Sequence, residues 1–127
     1  ANFLGASNIL SGVCRGRDAQ TATVEVPLFG YVGVPGDKAA QVADGPTKLV
    51  LRAEKLTLLD LEADTTGMIT AEARVETVDY QGQTVRYFVR VGDTSFQAIN
   101  MINERPFAEG STVTAAFRPQ DCAALPG

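Results

Sequence analysis

The chain has 127 residues, of which 45% are apolar and 20% are charged, a composition typical of one globular domain. Its formal net charge is −4 and its basic residues are scattered, which argues against nucleic acid as a partner because phosphate binding needs clustered Lys and Arg. The absence of His excludes most hydrolase, deaminase and zinc-site chemistries, and no apolar run reaches the roughly 18 residues of a membrane span.

The first half of the chain is predicted to be β-structure interrupted by glycine turns. Residues 8–28 are strand-like, with apolar and polar side chains alternating toward the end of the segment. A glycine turn and a short strand follow, and a second β-segment covers residues 47–61. The residues of these segments that are expected to face a core are Ala22, Val24, Val26, Leu28, Leu49, Leu51 and Ala53.

The most regular β-pattern lies in the middle of the chain. Apolar side chains occupy every second position up to Val75, but after Glu76 the apolar positions shift by one, to Val78 and Tyr80. Such a shift of parity inside one strand is what an inserted bulge residue produces, and a bulge lets a strand curl into a barrel. The alternation predicts that Tyr80, and Tyr87 on the return strand, lie in the core; the alternative is a base-stacking platform formed with Phe88 on an OB fold.

The rest of the chain continues the same pattern. Gln81-Gly82 and Gly92-Asp93 are predicted hairpin turns, residues 100–107 are irregular, and residues 113–117 form the last clear strand. Short strands at regular spacing with glycine turns predict an all-β, OB-fold-like barrel of antiparallel strands with bulges and few or no helices. No internal repeat is apparent.

The sequence contains no recognisable catalytic motif. None of its lysines lies in the glycine-rich context of a phosphate-binding P-loop, and Asp60-Leu61-Glu62-Ala63-Asp64 lacks the Gly and the distal Glu of a calcium loop. Cys14 and Cys122 have no His to activate a nucleophilic thiol, and their wide separation favours two reduced thiols over a disulfide between the chain ends. We therefore predict no catalytic residue, cofactor or metal site in this chain.

Two groups of side chains are candidates for contacts with another domain or subunit. Arg52 and Glu54 lie two residues apart on the outer side of their β-segment, which by itself predicts an exposed ion pair that contributes little energy. Phe88 shares a strand face with Arg86 and Arg90. An aromatic ring between two arginines indicates either a packed contact between sheets or part of a binding surface.

Several short motifs occur in a defined order along the chain. It opens with Phe3-Leu4-Gly5 followed by Asn8, and Arg52-Ala53-Glu54 precedes the glycine-punctuated β-pattern. Together they resemble the C-terminal regulatory domain of the ATP-binding subunits of ABC importers, the transport-associated OB (TOBE) domain, with Ala53 in place of the proline of the family's arginine-proline-glutamate box. Later positions that resemble the family are Gly67, Val75, Tyr80, Gly82, Tyr87, Val89, Gly110, Val113, Phe117 and Pro119.

The resemblance implies a function in transport. Residues 1–7 would be a linker from a missing ATPase domain, and residues 8–127 would be the regulatory domain. The parent subunit would be cytoplasmic at the inner face of a bacterial plasma membrane, bind ATP and Mg²⁺ in the missing domain, dimerise with a second copy and contact the permease. The implied interdomain or regulatory contacts are Phe3, Asn8, Arg52, Glu54, Arg86 and Phe88.

The transported solute is also suggested by the resemblance. The opening residues look most like the polyamine (spermidine/putrescine) branch, followed by the ferric-iron branch, and a small solute is an expected ligand. The residues also leave open a free-standing OB-type module that binds a small anion or an oligonucleotide, although an acidic chain without Trp or His has few groups for that role.

Overall fold

The structure, a computed structural model, describes residues 7–35, 39, 42–102 and 106–124. The fold of these residues is all-β, as predicted, with short 3-10 turns such as Ala53–Lys55 and Pro119–Asp121. No helix within the described ranges has the length and apolar character to cross a membrane. The strands are β1 (Ser7–Arg17), β2 (Thr21–Val26), β3 (Gly30–Pro35), β4 (Gly45–Arg52), β5 (Thr57–Leu59), β6 (Ile69–Gln81), β7 (Thr84–Val91), β8 (Thr94–Met101), β9 (Thr112–Phe117) and β10 (Cys122–Ala124).

The strands form two five-stranded antiparallel sheets with the same topology. Sheet A has the order β10-β4-β1-β2-β3, and sheet B has the order β5-β9-β6-β7-β8. The first half of the chain (β1–β4) and the second half (β6–β9) therefore each supply four strands in the same spatial order. The fifth strand is exchanged, because β5 follows β4 but pairs with β9, whereas β10 follows β9 but pairs with β4. The fold is thus an internal structural repeat with reciprocal strand exchange, which the sequence pattern did not reveal.

Both halves carry a bulge in their first strand. The bulge predicted at Glu76 is confirmed, since the register of β6 against β7 shifts between Val75 and Thr77. The corresponding strand of the first half, β1, has a shift against β2 that leaves Arg15 without an opposite residue. Because a bulge bends its strand and increases its twist, the two bulges curl both sheets into OB-like half-barrels.

The bulge residues form matching ion pairs of opposite polarity. In the first half, Arg15 Nε lies 2.8 Å from Glu25 Oε1, and in the second half Arg90 Nε lies 2.8 Å from Glu76 Oε2. In both cases the bulge residue is joined to the same position of the neighbouring strand, but the acid and the base have changed places. The Glu76 carboxylate also raises the pKa of Arg90, chiefly through this hydrogen bond.

One hydrophobic core is shared by the two sheets and contains side chains from both halves. Phe29, in the turn between β2 and β3, reaches across to sheet B, where its ring meets Phe96 and Phe117 edge-on at centroid distances of 5.7 and 5.2 Å. Edge-to-face geometry is favourable for aromatic pairs. The core therefore joins the halves and does not consist of two independent clusters.

The two tyrosines that were predicted to be buried behave differently. Tyr87 is buried, and its hydroxyl oxygen accepts a hydrogen bond from the backbone N–H of Phe107 at 3.1 Å. The prediction for Tyr80 is wrong, because its side chain is 62% exposed. Tyr80 pairs with Val85 beside the β6–β7 hairpin turn. Parity assigns a side chain to a face, but it does not show how far a hairpin extends past the core.

The predicted strand-like segment 8–28 consists of two strands joined by a tight turn. The carboxylate of Asp18 holds this turn, since its Oδ1 accepts hydrogen bonds from the backbone N–H groups of Gln20 and Thr21 at 2.7 and 2.8 Å. Asp64 holds a second turn by accepting from the hydroxyl and the N–H of Thr66. These hydrogen bonds lower the pKa of both aspartates below the ordinary value of 3.8.

Replacing Asp18 or Asp64 by asparagine is expected to reduce the loss of stability in acid. Because the folded-state pKa of each carboxyl is lowered, its stabilising effect is present above the unfolded-state value of 3.8 and disappears as the pH falls through the folded-state pKa. Thermal unfolding measured by circular dichroism from about pH 7 to about pH 2 checks this. Asp60→Asn is the control, and an unchanged acid profile in Asp18→Asn and Asp64→Asn would contradict the assignment.

Candidate functional site

Asn8 connects the two sheets through its side chain. Its Nδ2 donates to the backbone oxygen of Gln97, and its Oδ1 accepts from the Gln97 N–H, both at 2.8 Å. β8 is an outer strand of sheet B, so its backbone groups on the side away from β7 have no strand partner. The Asn8 amide satisfies them as a neighbouring strand would. At 5% exposed, Asn8 is an internal bridge and offers little surface to another domain.

Arg52 and Glu54 form the predicted ion pair, with Arg52 Nε 3.0 Å from Glu54 Oε2 and both side chains about half exposed. Arg52 ends β4, and Glu54 lies in the 3-10 turn Ala53–Lys55. The pKa of Glu54 is lowered, first by a hydrogen bond from its own backbone N–H and then by Arg52. The buried Ala53 fixes the turn between these two charges. Phe3, which the family resemblance also implies as a contact, lies outside the described residues.

An open groove lies beside this ion pair, between β5 and β8. Its volume is about 400 Å³. Asn100 holds the two strands at this spacing, since its Oδ1 accepts from the Leu58 N–H at 3.0 Å and its Nδ2 donates to the Leu56 oxygen at 2.9 Å. The residues that line this β5–β8 groove are Glu54, Thr57, Leu58, Leu59, Thr84, Ile99, Asn100 and Met101.

Large apolar side chains are exposed at the β5–β8 groove and next to it. Met101 is 66% exposed, and Leu61 and Ile102 follow β5 and β8 with exposed side chains. The sequence pattern did not single out these residues, since Met101 and Ile102 lie in the segment 100–107 that was predicted to be irregular and Leu61 ends the predicted β-segment 47–61. The available signal was the run Ile99-Asn100-Met101-Ile102, in which apolar residues occupy both faces of a strand end.

The repeat gives the groove strand β5 a counterpart in sheet A, the strand β10. Thr57 and Leu58 follow the 3-10 turn Ala53–Lys55 as Ala123 and Ala124 follow the turn Pro119–Asp121. The exchanged strand of sheet A therefore performs the same structural role with two alanines. Leu58 is almost completely buried in the shared core, so the exposed apolar side chains of this region are Met101 and the adjacent Leu61 and Ile102.

Arg86 and Phe88 lie on the outer face of sheet B and are half-buried. Gln97 Oε1 lies 3.5 Å from Arg86 Nη1, at the limit of a hydrogen bond, and the buried Nε of Arg86 has no hydrogen-bond partner among the described residues. The third residue of this predicted group, Arg90, is held by Glu76. The structure thus places the three side chains on one face but does not combine them into an open basic surface.

The two cysteines cannot bond to each other in this fold. Cys14 pairs with Gly45 and Cys122 with Leu51, at opposite ends of β4. These positions are about 20 Å apart at the rise of a β-strand, whereas a disulfide needs Cα atoms within about 7 Å. Within the described ranges, no group of three or more Cys, Asp or Glu residues is arranged to hold a metal ion.

Comparison with known proteins identifies relatives of the fold. A sequence profile described as "TOBE domain" matches residues 49–125, from β4 to just beyond β10. The chain is also similar to a crystal structure described as the cytoplasmic molybdate-binding protein ModG, in a PEG-grown form with molybdate bound. The TM-score is 0.76 at 14% sequence identity, over 94% of this chain and 96% of that chain, a likeness of fold. No curated protein is significantly similar in sequence.

Proposed function

The chain belongs to the TOBE-domain family, and on that premise we propose that it is the regulatory domain of the ATP-binding subunit of an ABC importer for a small solute. In this role it contributes no catalysis of its own and acts through contacts with the ATPase domain and a second copy of the subunit. ATP and Mg²⁺ belong to the ATPase domain, since this chain has no P-loop to hold them. The subunit then works on the cytoplasmic side of the permease.

The observation that carries this proposal is the β5–β8 groove with the Arg52–Glu54 ion pair at its rim. An apolar surface bordered by charges is the usual composition of a protein–protein contact. Arg52 and Glu54 hold each other in place at 3.0 Å, so a partner meets them in a fixed geometry. The same pair lies in the segment that resembles the family's arginine-proline-glutamate box.

Arg52→Ala is expected to weaken coupling in the full-length subunit and to leave the fold of this chain intact. An exposed ion pair contributes only about 0.2–1 kcal/mol to stability, so the unfolding temperature should change little. The stimulation of ATP hydrolysis by solute-loaded binding protein should fall severalfold, because the removed guanidinium belongs to the contact surface. Both quantities are measured, the first on this chain and the second on the reconstituted importer.

Arg15→Ala is the matched control, because it also breaks an exposed Arg–Glu ion pair, the one between Arg15 and Glu25 at the bulge of β1. It should lower stability by a similar small amount and leave the stimulation of ATP hydrolysis unchanged. If ATP hydrolysis were stimulated equally in Arg52→Ala and in the wild type, this ion pair would have no regulatory role. A large fall in the unfolding temperature of Arg52→Ala would make the pair structural.

A second candidate function is binding of a molybdate-type oxyanion by the chain itself, which the likeness to ModG over nearly the whole chain favours. The polyamine assignment depends instead on the opening residues, of which residues 1–6 lie outside the described ranges. Calorimetric titration of the chain with molybdate, sulfate, spermidine, putrescine and a ferric complex separates these cases. Saturable heat with molybdate but not sulfate would support an oxyanion regulator, and heat with a polyamine would support a polyamine importer. Silence in every titration would leave an assembly domain and exclude direct solute sensing.

A further inference from the structure

A separate cavity lies where the first half of the chain approaches the β7–β8 turn. The ladder between β1 and β2 begins at Val13, so the earlier residues of β1 have no β2 partner on that side. This free part of β1 approaches β8, and Asn8 bridges the two strands at Gln97. Next to the bridge the strands leave an open volume of about 330 Å³. The cavity is lined by Ile9, Leu10, Ser11, Val26, Pro27, Leu28, Asp93, Thr94 and Phe96.

The lining of this cavity separates into an apolar floor and a polar rim. Leu10, Val26 and Phe96 belong to the hydrophobic core and are almost completely buried, so the floor is formed by core side chains. Ser11 and Thr94 are exposed and bring hydroxyl groups to the rim. Ligand pockets typically combine apolar walls with a few polar groups in volumes of about 300–1,000 Å³, and this cavity lies at the small end of that range.

Asp93 is the only charged residue among the lining residues. Its neighbour Arg90 donates from Nη1 to the backbone oxygen of Asp93 at 3.3 Å, while Arg90 Nε is held by the Glu76 carboxylate at 2.8 Å. No cation of the described chain lies within ion-pair distance of the Asp93 carboxylate. Lys48, opposite Ser11 on β4, does not line the cavity. The Asp93 carboxylate also acts electrostatically on Arg90 and contributes to the raised pKa of that guanidinium. The rim therefore presents one negative charge that Arg90 offsets only from a distance and that no ion pair among the described residues neutralises.

The walls of the cavity are fixed by close contact between two turns. Gly92 has a φ of 59°, and a Cβ atom at this position would lie 2.8 Å from Leu28 Cδ2. Only glycine therefore allows the β7–β8 turn to pack against the β2–β3 turn without a shift of Leu28. The two turns therefore meet at Leu28, which is also one of the residues that line the cavity.

From this lining we propose that the cavity is a binding site for a small primary alkylamine. The alkyl chain would lie on the accessible apolar residues Ile9, Pro27 and Leu28, above the buried floor. The ammonium group would bind the Asp93 carboxylate with help from the hydroxyls of Ser11 and Thr94. An ammonium donates three hydrogen bonds and carries the charge that the rim lacks. A carboxylate ligand is excluded by repulsion from Asp93, and an uncharged ligand leaves this charge unused. The inference uses only the cavity, but spermidine and putrescine are also primary alkylamines. Heat with either of them therefore supports a polyamine importer only if it persists in Asp93→Asn, whereas heat that this substitution weakens belongs to the cavity.

Calorimetric titration of the chain at neutral pH with n-hexylamine, 1-hexanol and hexanoate tests the site. A primary alkylamine is protonated at this pH, as a lysine side chain is. We expect saturable binding of hexylamine, weaker binding of hexanol and none of hexanoate. Asp93→Asn should weaken the binding of hexylamine about fivefold, which corresponds to the energy of a partly exposed ion pair, and leave the binding of hexanol unchanged. Ser11→Phe, which places a ring at the rim, should abolish binding of both.

Asp60→Asn is the matched control, because it removes one exposed carboxylate that does not line the cavity. It should bind hexylamine as the wild type does. Equal affinity for hexylamine and hexanol, or equal hexylamine affinity in wild type and Asp93→Asn, would overturn the assignment of the ligand class. Absence of saturable heat with hexylamine would overturn the site. Neither result bears on the Arg52 experiment, which tests the other surface.

Discussion

Asn8→Ala is expected to lower the free energy of unfolding by about 2–5 kcal/mol, since each buried backbone group left without a partner costs about 1–3 kcal/mol. The substitution removes the only hydrogen-bond partners that the structure gives to the N–H and the outward carbonyl of Gln97 within the described residues. Asn8 is itself buried, so water has little access to replace the amide. Chemical denaturation measures the loss, and amide hydrogen exchange at Gln97 should become faster.

Two further substitutions define the cause of this effect. Asn8→Asp keeps an oxygen for the Gln97 N–H but places a second oxygen against the Gln97 carbonyl, so it should destabilise the fold comparably. Ser7→Ala changes the exposed neighbouring residue and should stay within about 0.5 kcal/mol of wild type. If Asn8→Ala were as stable as Ser7→Ala, the bridge between β1 and β8 would not contribute to the fold.

The role of Asn8 shows a limit of the sequence analysis. Its position in the family resemblance suggested a contact outside the domain. The side chain is instead buried, because two backbone groups of Gln97 on the edge strand β8 need hydrogen-bond partners. Asn8 and Gln97 are 89 residues apart in the sequence, so no local pattern around Asn8 could indicate this contact. The Arg52–Glu54 pair was predictable because it needs only two neighbouring residues.

The two bulges show which parts of the fold can be predicted from the alternation of apolar and polar residues. Before Glu76, apolar and polar side chains alternate regularly along β6, so the change of parity is visible. The equivalent bulge at Arg15 lies among Gly12, Cys14 and Gly16, which do not mark a face, so no change of parity is visible there. Strand pattern and bulge are therefore predictable only where the alternating residues differ strongly in polarity.

The internal repeat was hidden for a related reason. Equivalent positions of the two halves have the same geometry but carry different residues, as the ion pairs at the two bulges show, where the acidic and the basic residue have changed places. The segments Arg52-Ala53-Glu54 and Arg118-Pro119-Gln120 are the clearest remaining trace, since both lead from the fourth strand of a half into a 3-10 turn. The exchange of β5 and β10 was beyond prediction, because short apolar strands carry too little pattern to select one sheet edge over another.

Phe29 and Phe117 are expected to be the strongest coupled pair in the core. Phe117 is completely buried, and replacing either ring by alanine should cost about 3–5 kcal/mol. Their rings meet edge-on at 5.2 Å, a contact that contributes about 0.5–1.5 kcal/mol beyond burial. A double-mutant cycle with Phe29→Leu and Phe117→Leu, which keep apolar volume, should return a coupling energy in that range by chemical denaturation.

Phe107→Leu provides the control pair, because the Phe107 ring contacts Tyr87 at 6.1 Å, away from the Phe29 contact. Its combination with Phe29→Leu should be additive. Since Phe29 belongs to the first half and Phe117 to the second, coupling between them means that neither half holds its core alone. Reciprocal strand exchange leads to the same requirement, so unfolding should be a single cooperative transition. A biphasic denaturation curve, or additive losses for Phe29 and Phe117, would show instead that each half is stabilised by its own contacts.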